Sequence, residues 1–217
     1  MNRILFEKTG FAKYISHLDL MRTMQRSMIR AGLEIKHTQG FNPHPHMVFG
    51  LPLPVGCESV CEVMDFELVK EMPNDEIIAG LNKSLPEGIK ILDAYTAERK
   101  LKELSKVEME IIYIYDREVD EADADKLREL FNRQELVVNK KTKKGYADIN
   151  ILEMIDKIQM SVYNNSIKIE TVIAAQNPSL NPLLITTAVK NYLPDTTPDQ
   201  VAYMRKAVFD NNMDIFR

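Results

Sequence analysis

One helix near the start of the chain is bounded by sequence signals at both ends, and it constrains the fold more than any other feature. Ser16 is a residue type that favours the N-cap position, and Asp19 stands three residues later, in the reciprocal position of a capping box. Gly32 is typical of the residue that follows a last helical turn. The sequence therefore predicts a helix over residues 17–31. Its predicted apolar face consists of Leu18, Met21, Met24 or Gln25, and Met28 or Ile29.

Strand and helix signals around this helix follow the order β-α-β-β-α-β. Alternating apolar residues predict a first strand over residues 3–15, with Ile4, Phe6, Phe11 and Tyr14 as buried positions. The remaining predicted elements are strands over 34–38, 60–68 and 89–95 and a helix over 75–85.

The same pattern of elements recurs in the second half of the chain. A charged segment, residues 98–106, separates the two halves, and no sequence repeat is visible between them. The order β-α-β-β-α-β is that of the ferredoxin-like fold. The sequence therefore predicts an α+β protein built from two tandem ferredoxin-like modules, residues 1–97 and residues 106–217.

The composition is that of an ordinary globular protein, with 45% apolar and 28% charged residues. No run of eighteen apolar residues and no signal-peptide core are present, so we expect a cytoplasmic protein with no membrane contact. Cys57 and Cys61 are too few for a disulfide framework or an iron–sulfur cluster. We expect no cofactor.

Positive charge is concentrated near the start of the chain. Residues 1–50 carry a net charge of +4, which leaves −8 for residues 51–217. Arg22, Arg26 and Arg30 recur every four residues, so a helix would align them on one face. Guanidinium groups suit phosphate oxygens, so the stripe predicts nucleic-acid binding; a solvated helix face is the alternative.

A loop over residues 39–46 combines a glycine, two prolines and two histidines. Phe41 could stack on an unpaired base, while Asn42, His44 and His46 could form hydrogen bonds with it. With His17 or Asp19, the histidines could instead bind zinc or iron. A purely structural loop is the third interpretation.

Three further features are weaker candidates for chemistry. His17 falls in the first turn of the predicted helix, where a neutral imidazole could act as a general base, or could simply pack at the strand–helix junction. Asp19 is equally ambiguous, because capping alone would account for a carboxylate at this position. The lysine-rich turn of Lys140, Lys141, Lys143 and Lys144 could be a second phosphate contact.

Most of the chain resembles the bacterial radical-SAM-linked protein family, whose defining domain has unknown function, and the sharp motifs of this resemblance lie within residues 14–65. The matching residues are Ser16-His17-Leu18-Asp19, Arg22, Arg26, Gly40-Phe41-Asn42-Pro43-His44-Pro45, Pro54-Val55-Gly56, Glu58-Ser59, Glu62 and Asp65. The cysteine motif of a radical SAM domain is missing, so the resemblance implies a stand-alone accessory protein that acts with a radical SAM enzyme in trans. Neighbouring genes of the family imply RNA as a partner, either tRNA or rRNA.

Three functions follow from these observations. The favoured one is a binding module in which Arg22, Arg26 and Arg30 contact phosphates and the loop over residues 39–46 contacts a base. A metal-independent endoribonuclease with His17 or His44 as general acid or base is the second. The third is a protein-docking module, which predicts an exposed apolar patch.

Overall fold

The computed structural model describes residues 1–142 and 145–217, which form two compact units. Unit 1 comprises Met1–Leu104 together with Ile215–Arg217, and unit 2 comprises Ser105–Asp214. Both units combine α-helices with mainly antiparallel strands, so the predicted mixture of helix and strand is confirmed. Within the described residues, no helix is both long and apolar enough to cross a lipid bilayer.

Unit 1 contains four strands in the spatial order β4-β1-β3-β2, and each neighbouring pair is antiparallel. Its two helices each connect one strand to the next. The elements are β1 (Asn2–Lys8), α1 (His17–Arg30), β2 (Met47–Phe49), β3 (Cys57–Phe66), α2 (Asn74–Ser84) and β4 (Ile89–Thr96).

The core of unit 1 lies between its sheet and the two helices. Ile4 and Phe6 are completely buried, as their strand alternation predicts. Phe11 and Tyr14 were predicted as buried, and this prediction is wrong, because they are 91% and 62% exposed. The reason is local: β1 ends at Lys8, and residues Gly10–Tyr14 form a 3-10 helix.

Helix α1 begins where its sequence signals predict. The Ser16 hydroxyl accepts a hydrogen bond from the backbone N–H of Asp19 at 3.1 Å, and Gly32 follows with φ of +75°. The buried face differs from the predicted one, because Leu20, Met24 and Met28 are buried and Leu18 is 54% exposed. Leu20, Met24 and Met28 stand at positions i, i+4 and i+8 and therefore share one helix face, and this face packs against the core.

Unit 2 has a four-stranded antiparallel sheet in the order β10-β5-β9-β8 and a separate two-stranded hairpin, β6-β7. Strands β8 and β9 form a hairpin, with Asn164 at positive φ in its turn. The elements are β5 (Lys106–Ile114), α3 (Glu121–Phe131), β6 (Val137–Thr142), β7 (Gly145–Asn150), β8 (Ile155–Tyr163), β9 (Ser166–Ala174), α4 (Leu183–Tyr192) and β10 (Gln200–Phe209).

Candidate nucleic-acid interface

Two of the three predicted arginines on α1 are available to a ligand. Arg22 and Arg26 are exposed and lie one turn apart. Arg22 makes only a weak contact, with Nη1 3.5 Å from Asp19 Oδ1, and both of these side chains are more than half exposed. Arg26 makes no ion pair or hydrogen bond with any residue that the structure describes. The two guanidinium groups therefore remain free to bind an anion.

Arg30 has a structural contact that the sequence did not indicate. Its Nη2 donates hydrogen bonds to Ser84 O at 2.7 Å and to Ser27 Oγ at 2.9 Å. Ser27 Oγ also donates to Ser84 O at 3.2 Å. Because Ser84 is the last residue of α2, Arg30 stabilises a carbonyl group that has no partner within that helix.

The histidine loop has a narrow neck and an exposed tip. At the neck, Thr38 N–H donates to His44 O at 2.8 Å, and His46 N–H donates to Lys36 O at 2.7 Å. Residues 40–43 form the tip, where Gly40 has φ of +129°, a conformation that favours glycine. The neck therefore holds the tip away from the body of unit 1.

The two loop histidines have different neighbours. His44 Nδ1 lies 3.1 Å from both Thr38 Oγ1 and Asn42 O, so its ring contributes to the internal structure of the loop. His46 Nδ1 lies 3.6 Å from Glu67 Oε1, and Lys36 Nζ lies 3.4 Å from the other oxygen of that carboxylate. The contact between His46 and Glu67 joins the loop neck to the residue that follows β3.

The tip presents an aromatic ring to solvent. Phe41 is fully exposed, and Asn42 beside it is exposed as well. A solvent-facing aromatic ring is what a single-stranded nucleic acid uses as a stacking platform. The geometry of the tip therefore suits the predicted base contact.

A cleft of about 350 Å³ lies between α1 and the loop neck. Ile29 is 68% exposed and forms part of its apolar wall. Gln25 and Ile29 share a helix face with Arg22 and Arg26, since these positions follow i, i+3, i+4 and i+7 spacing. No pattern in the sequence indicated this cleft. The residues that line the cleft are Gln25, Ile29, Gly32, Leu33, Glu34, Ile35, His37 and Pro45.

His17 is placed for packing. It is the first residue of α1 and is half-buried, and its ring meets the ring of Phe49 edge-on at a centroid distance of 5.2 Å. The structure therefore does not bring His17 into the cleft described above. The position agrees with the predicted alternative of a histidine at the strand–helix junction.

The remaining sequence candidates are the metal ligands, the two cysteines and the lysine-rich turn. In the described part of the chain, no group of three or more His, Cys, Asp or Glu side chains is placed to hold a metal ion. Cys57 is buried, and Cys61 Sγ lies 3.7 Å from Ser59 Oγ. Lys140 Nζ donates to Ser179 O at 3.4 Å. Of the other turn residues, Lys143 and Lys144 lie outside the described residues.

Unit 1 also exposes apolar side chains away from the cleft. Phe11 is 91% exposed, Tyr14 is 62% exposed and Val55 is 53% exposed. Gly56 N–H donates to Lys13 O at 2.9 Å, which holds Val55 beside the 3-10 helix that carries the two aromatic residues. An exposed group of this kind is the feature that the docking hypothesis predicts.

Comparison with known proteins gives a family and a fold relationship. A protein family described as an uncharacterized protein conserved in bacteria, DUF2344, matches residues 2–182. No curated protein sequence matches the chain. Among solved structures, a Cbf5-Nop10-Gar1 complex is similar, with a TM-score of 0.50 and 10% sequence identity. The similarity covers 95% of this chain and 48% of that chain.

Two further structures have similar coverage. The archaeal box H/ACA sRNP Nop10-Cbf5 complex has a TM-score of 0.46 at 12% identity, covering 94% of this chain and 46% of that chain. An H/ACA RNP bound to a substrate RNA containing 2'-deoxyuridine has a TM-score of 0.47 at 9% identity, with the same coverage of 94% and 46%. The chain thus spans about half the length of these structures. At 10% identity, the similarity to the Cbf5-Nop10-Gar1 complex shows a shared fold alone.

Proposed function

We propose that this chain, which belongs to the family of uncharacterized bacterial proteins DUF2344, is an RNA-binding protein that presents RNA to a separate enzyme. The observation that carries the proposal is the position of the cleft. It lies between the neck of the histidine loop and the same face of α1 that exposes Arg22 and Arg26. One surface of unit 1 therefore combines cationic groups, an apolar cleft and, at the loop tip, a solvent-exposed aromatic ring.

In this proposal, the cationic groups bind the phosphates of the RNA. Arg22 and Arg26 are four residues apart, which is about 6 Å along the helix axis, close to the spacing of successive phosphates on an extended strand. Arg30 contributes less, because its Nη2 is already bonded to Ser84 and Ser27. The positive charge of residues 1–50 adds to the attraction at longer range.

In this proposal, the histidine loop contacts an unpaired base of the RNA. Phe41 stacks on an unpaired base, and the Asn42 amide is free at the tip to form hydrogen bonds with it. His44 acts mainly by holding the loop conformation, since its Nδ1 is close to Thr38 and Asn42, and its other ring nitrogen can contact the RNA. His46 forms the edge of this surface beside Glu67.

The fold assignment within this proposal is a pair of ferredoxin-like modules. The order β4-β1-β3-β2 in unit 1 supports it, because that is the order of the fold. In unit 2 the order β10-β5-β9-β8 corresponds to it strand for strand, with β6 and β7 inserted between α3 and β8. The module boundaries at residues 97 and 106 stay a prediction.

The partner enzyme is proposed to be a radical SAM enzyme supplied in trans. The support for this step is the sequence resemblance over residues 14–65. In this arrangement the chain holds the RNA, either tRNA or rRNA, and the partner carries out the chemistry.

The direct test is fluorescence anisotropy of the purified chain with total tRNA and with a short single-stranded RNA, at two salt concentrations. We expect binding that weakens steeply with salt, because each neutralised phosphate releases counterions. The double variant Arg22→Ala/Arg26→Ala should lose most of the affinity. The matched control is Lys157→Ala/Lys190→Ala, which removes two exposed charges from unit 2. Equal loss in both variants, or no binding at low salt, would overturn the proposal.

The same samples distinguish RNA presentation from two other functions. If the chain is an endoribonuclease with His17 or His44 as acid or base, a denaturing gel of the RNA will show cleavage products that disappear in His17→Ala or His44→Ala. The exposed group of Phe11, Tyr14 and Val55 favours a docking function as the second candidate. That function predicts no RNA binding and a pull-down of a protein partner that Phe11→Ala abolishes.

A further inference from the structure

We infer that the cleft between α1 and the loop neck accepts an unpaired guanine base, and that Glu34 is the residue that selects it. The inference rests on the proposed function, since it names the RNA feature that the same surface binds. It depends on three properties of the cleft: a carboxylate without a partner, apolar walls and two arginines beside it.

The carboxylate of Glu34 is held at the cleft by its neighbours in the chain. Leu33 and Ile35 are buried in the core, being 3% and 8% exposed, so residue 34 between them faces the opposite way in an extended segment. Glu34 O also accepts a hydrogen bond from Val69 N–H at 2.8 Å, which fixes the backbone at this point. The backbone therefore places Glu34 on the cleft wall, with its side chain exposed.

This carboxylate is not neutralised by the protein. Glu34 makes no hydrogen bond or ion pair through its side chain with any residue in the described ranges. Nearby Glu67 differs, because it contacts both Lys36 and His46. An acidic group without an ion pair, on a cleft whose helix also exposes Arg22 and Arg26, is suited to a ligand that carries hydrogen-bond donors as well as phosphate.

Which base fits the cleft depends on the hydrogen-bond donors and acceptors along the Watson–Crick edge of each base. A carboxylate only accepts hydrogen bonds, and its two oxygens can accept from two adjacent donors. Guanine presents adjacent N1–H and N2–H donors on its Watson–Crick edge. Adenine and cytosine each present one donor beside an acceptor, and uracil presents one donor between two acceptors. The cleft therefore discriminates in favour of guanine, with the Gln25 amide free to contact a further polar atom of the base.

The cleft also requires that the base be unpaired. A guanine in a duplex uses the same edge to pair with cytosine, so it could not reach Glu34. The apolar side chains of Ile29 and Pro45 suit the faces of a flat ring, and the volume of about 350 Å³ lies at the lower end of the range for ligand clefts, about 300–1,000 Å³. Since Glu34 repels phosphate, the phosphates lie at the rim with Arg22 and Arg26.

The experiment measures anisotropy with four labelled 12-nucleotide RNAs. One is all uridine, and the others carry a single central guanosine, inosine or adenosine. We expect the guanosine RNA to bind about tenfold more tightly than the uridine and adenosine RNAs, because one well-matched pair of hydrogen bonds discriminates on this scale. Inosine lacks the N2 amino group and should fall between them. In Glu34→Gln the preference for guanosine should be lost.

The control is Glu71→Gln, which removes an exposed carboxylate of unit 1 outside the cleft and should keep the preference. Thermal melting of both variants checks that they fold. If the wild-type protein binds all four RNAs equally, the guanine inference fails and the proposed RNA-binding function stands. If guanosine is still preferred in Glu34→Gln, the assignment of Glu34 fails. If no RNA binds, tRNA included, the proposed function fails with it.

Discussion

The carboxylate of Asp65 accepts two hydrogen bonds from the Arg3 guanidinium, from Nε at 2.6 Å and from Nη2 at 2.9 Å, where both side chains are almost entirely buried. The two residues are cross-strand partners in β1 and β3. Arg3 Nη2 also donates to Arg99 O at 2.7 Å, and the ring of Phe216 lies 4.9 Å from the guanidinium carbon of Arg3. This pair therefore belongs to the structural framework of unit 1.

Removal of one partner should destabilise the protein strongly. We expect Asp65→Ala to lower the free energy of unfolding by about 3–5 kcal/mol, because it leaves the Arg3 charge buried and unpaired. Urea denaturation measures the change. The control is Lys36→Ala, which breaks the exposed pair with Glu67 and should cost at most about 1 kcal/mol. Similar losses in the two variants would contradict this account.

Phe41 should matter for RNA binding and not for stability. Because its side chain is fully exposed, Phe41→Ala should leave the urea midpoint unchanged. The affinity for single-stranded RNA should fall by about 1–3 kcal/mol, the value of one base stacked on an aromatic ring. Phe11→Ala is the matched control, since it removes an exposed ring outside the loop. Anisotropy that changes in Phe11→Ala and not in Phe41→Ala would place the binding surface elsewhere.

Arg26 and Arg30 should respond differently to the same substitution. Arg26→Ala should weaken RNA binding for every sequence and reduce the slope of log affinity against log salt by about 1, because one phosphate contact is lost. Arg30→Ala should act mainly on stability, lowering the free energy of unfolding by about 1 kcal/mol through the lost bond to Ser84 O. Salt titrations and urea denaturation of both variants separate the effects. An unchanged slope in Arg26→Ala would exclude this arginine from the interface.

The stability of unit 2 should depend on pH through Asp123. Hydrogen bonds from Arg117, the shorter at 2.6 Å, hold the pKa of the Asp123 carboxyl below its ordinary value. A carboxyl with a lowered folded-state pKa stabilises the fold above its unfolded-state pKa, about 3.9, and this contribution disappears as the pH falls through the folded-state pKa. The stability difference between wild type and Arg117→Met should therefore be largest at neutral pH and shrink below about pH 4. Urea denaturation measures this stability difference, and a value that stays constant between pH 7 and pH 2 would contradict the role of Asp123.

Local features of unit 1 could be predicted because they depend on residues close in sequence. The bounds of α1 follow from the hydroxyl of Ser16 and from the positive φ of Gly32, each of which acts within one helical turn. The burial of Ile4 and Phe6 follows from strand alternation. Phe11 and Tyr14 were mispredicted because the change from strand to 3-10 helix after Lys8 has no clear periodic signal.

The candidate site was predictable in part. The spacing of Arg22 and Arg26 placed them on one helix face, and the prolines and Gly40 indicated a constrained loop. The cleft was missed, because Gln25, Glu34 and Pro45 become neighbours only when the loop neck folds back against α1. No pattern in the sequence shows that the Glu67 carboxylate contacts Lys36 and His46, while the Glu34 carboxylate contacts no charged group among the described residues.

The sequence by itself determined most of the helices and strands and the ends of α1, since hydrogen bonds and side-chain periodicity within a few residues decide them. The strand predicted over residues 34–38 is wrong, because Ile35 and His37 form only isolated bridges and the second strand is β2 (Met47–Phe49). Only the tertiary structure decided what each charged side chain does. Arg3 meets Asp65 across 62 positions of the chain, and Arg30 meets Ser84 across 54 positions. Arg26 has the same chemistry as these two arginines and stays exposed. Whether an arginine supports the fold or remains available to a ligand depends on distant residues, and their positions are set by packing of the core.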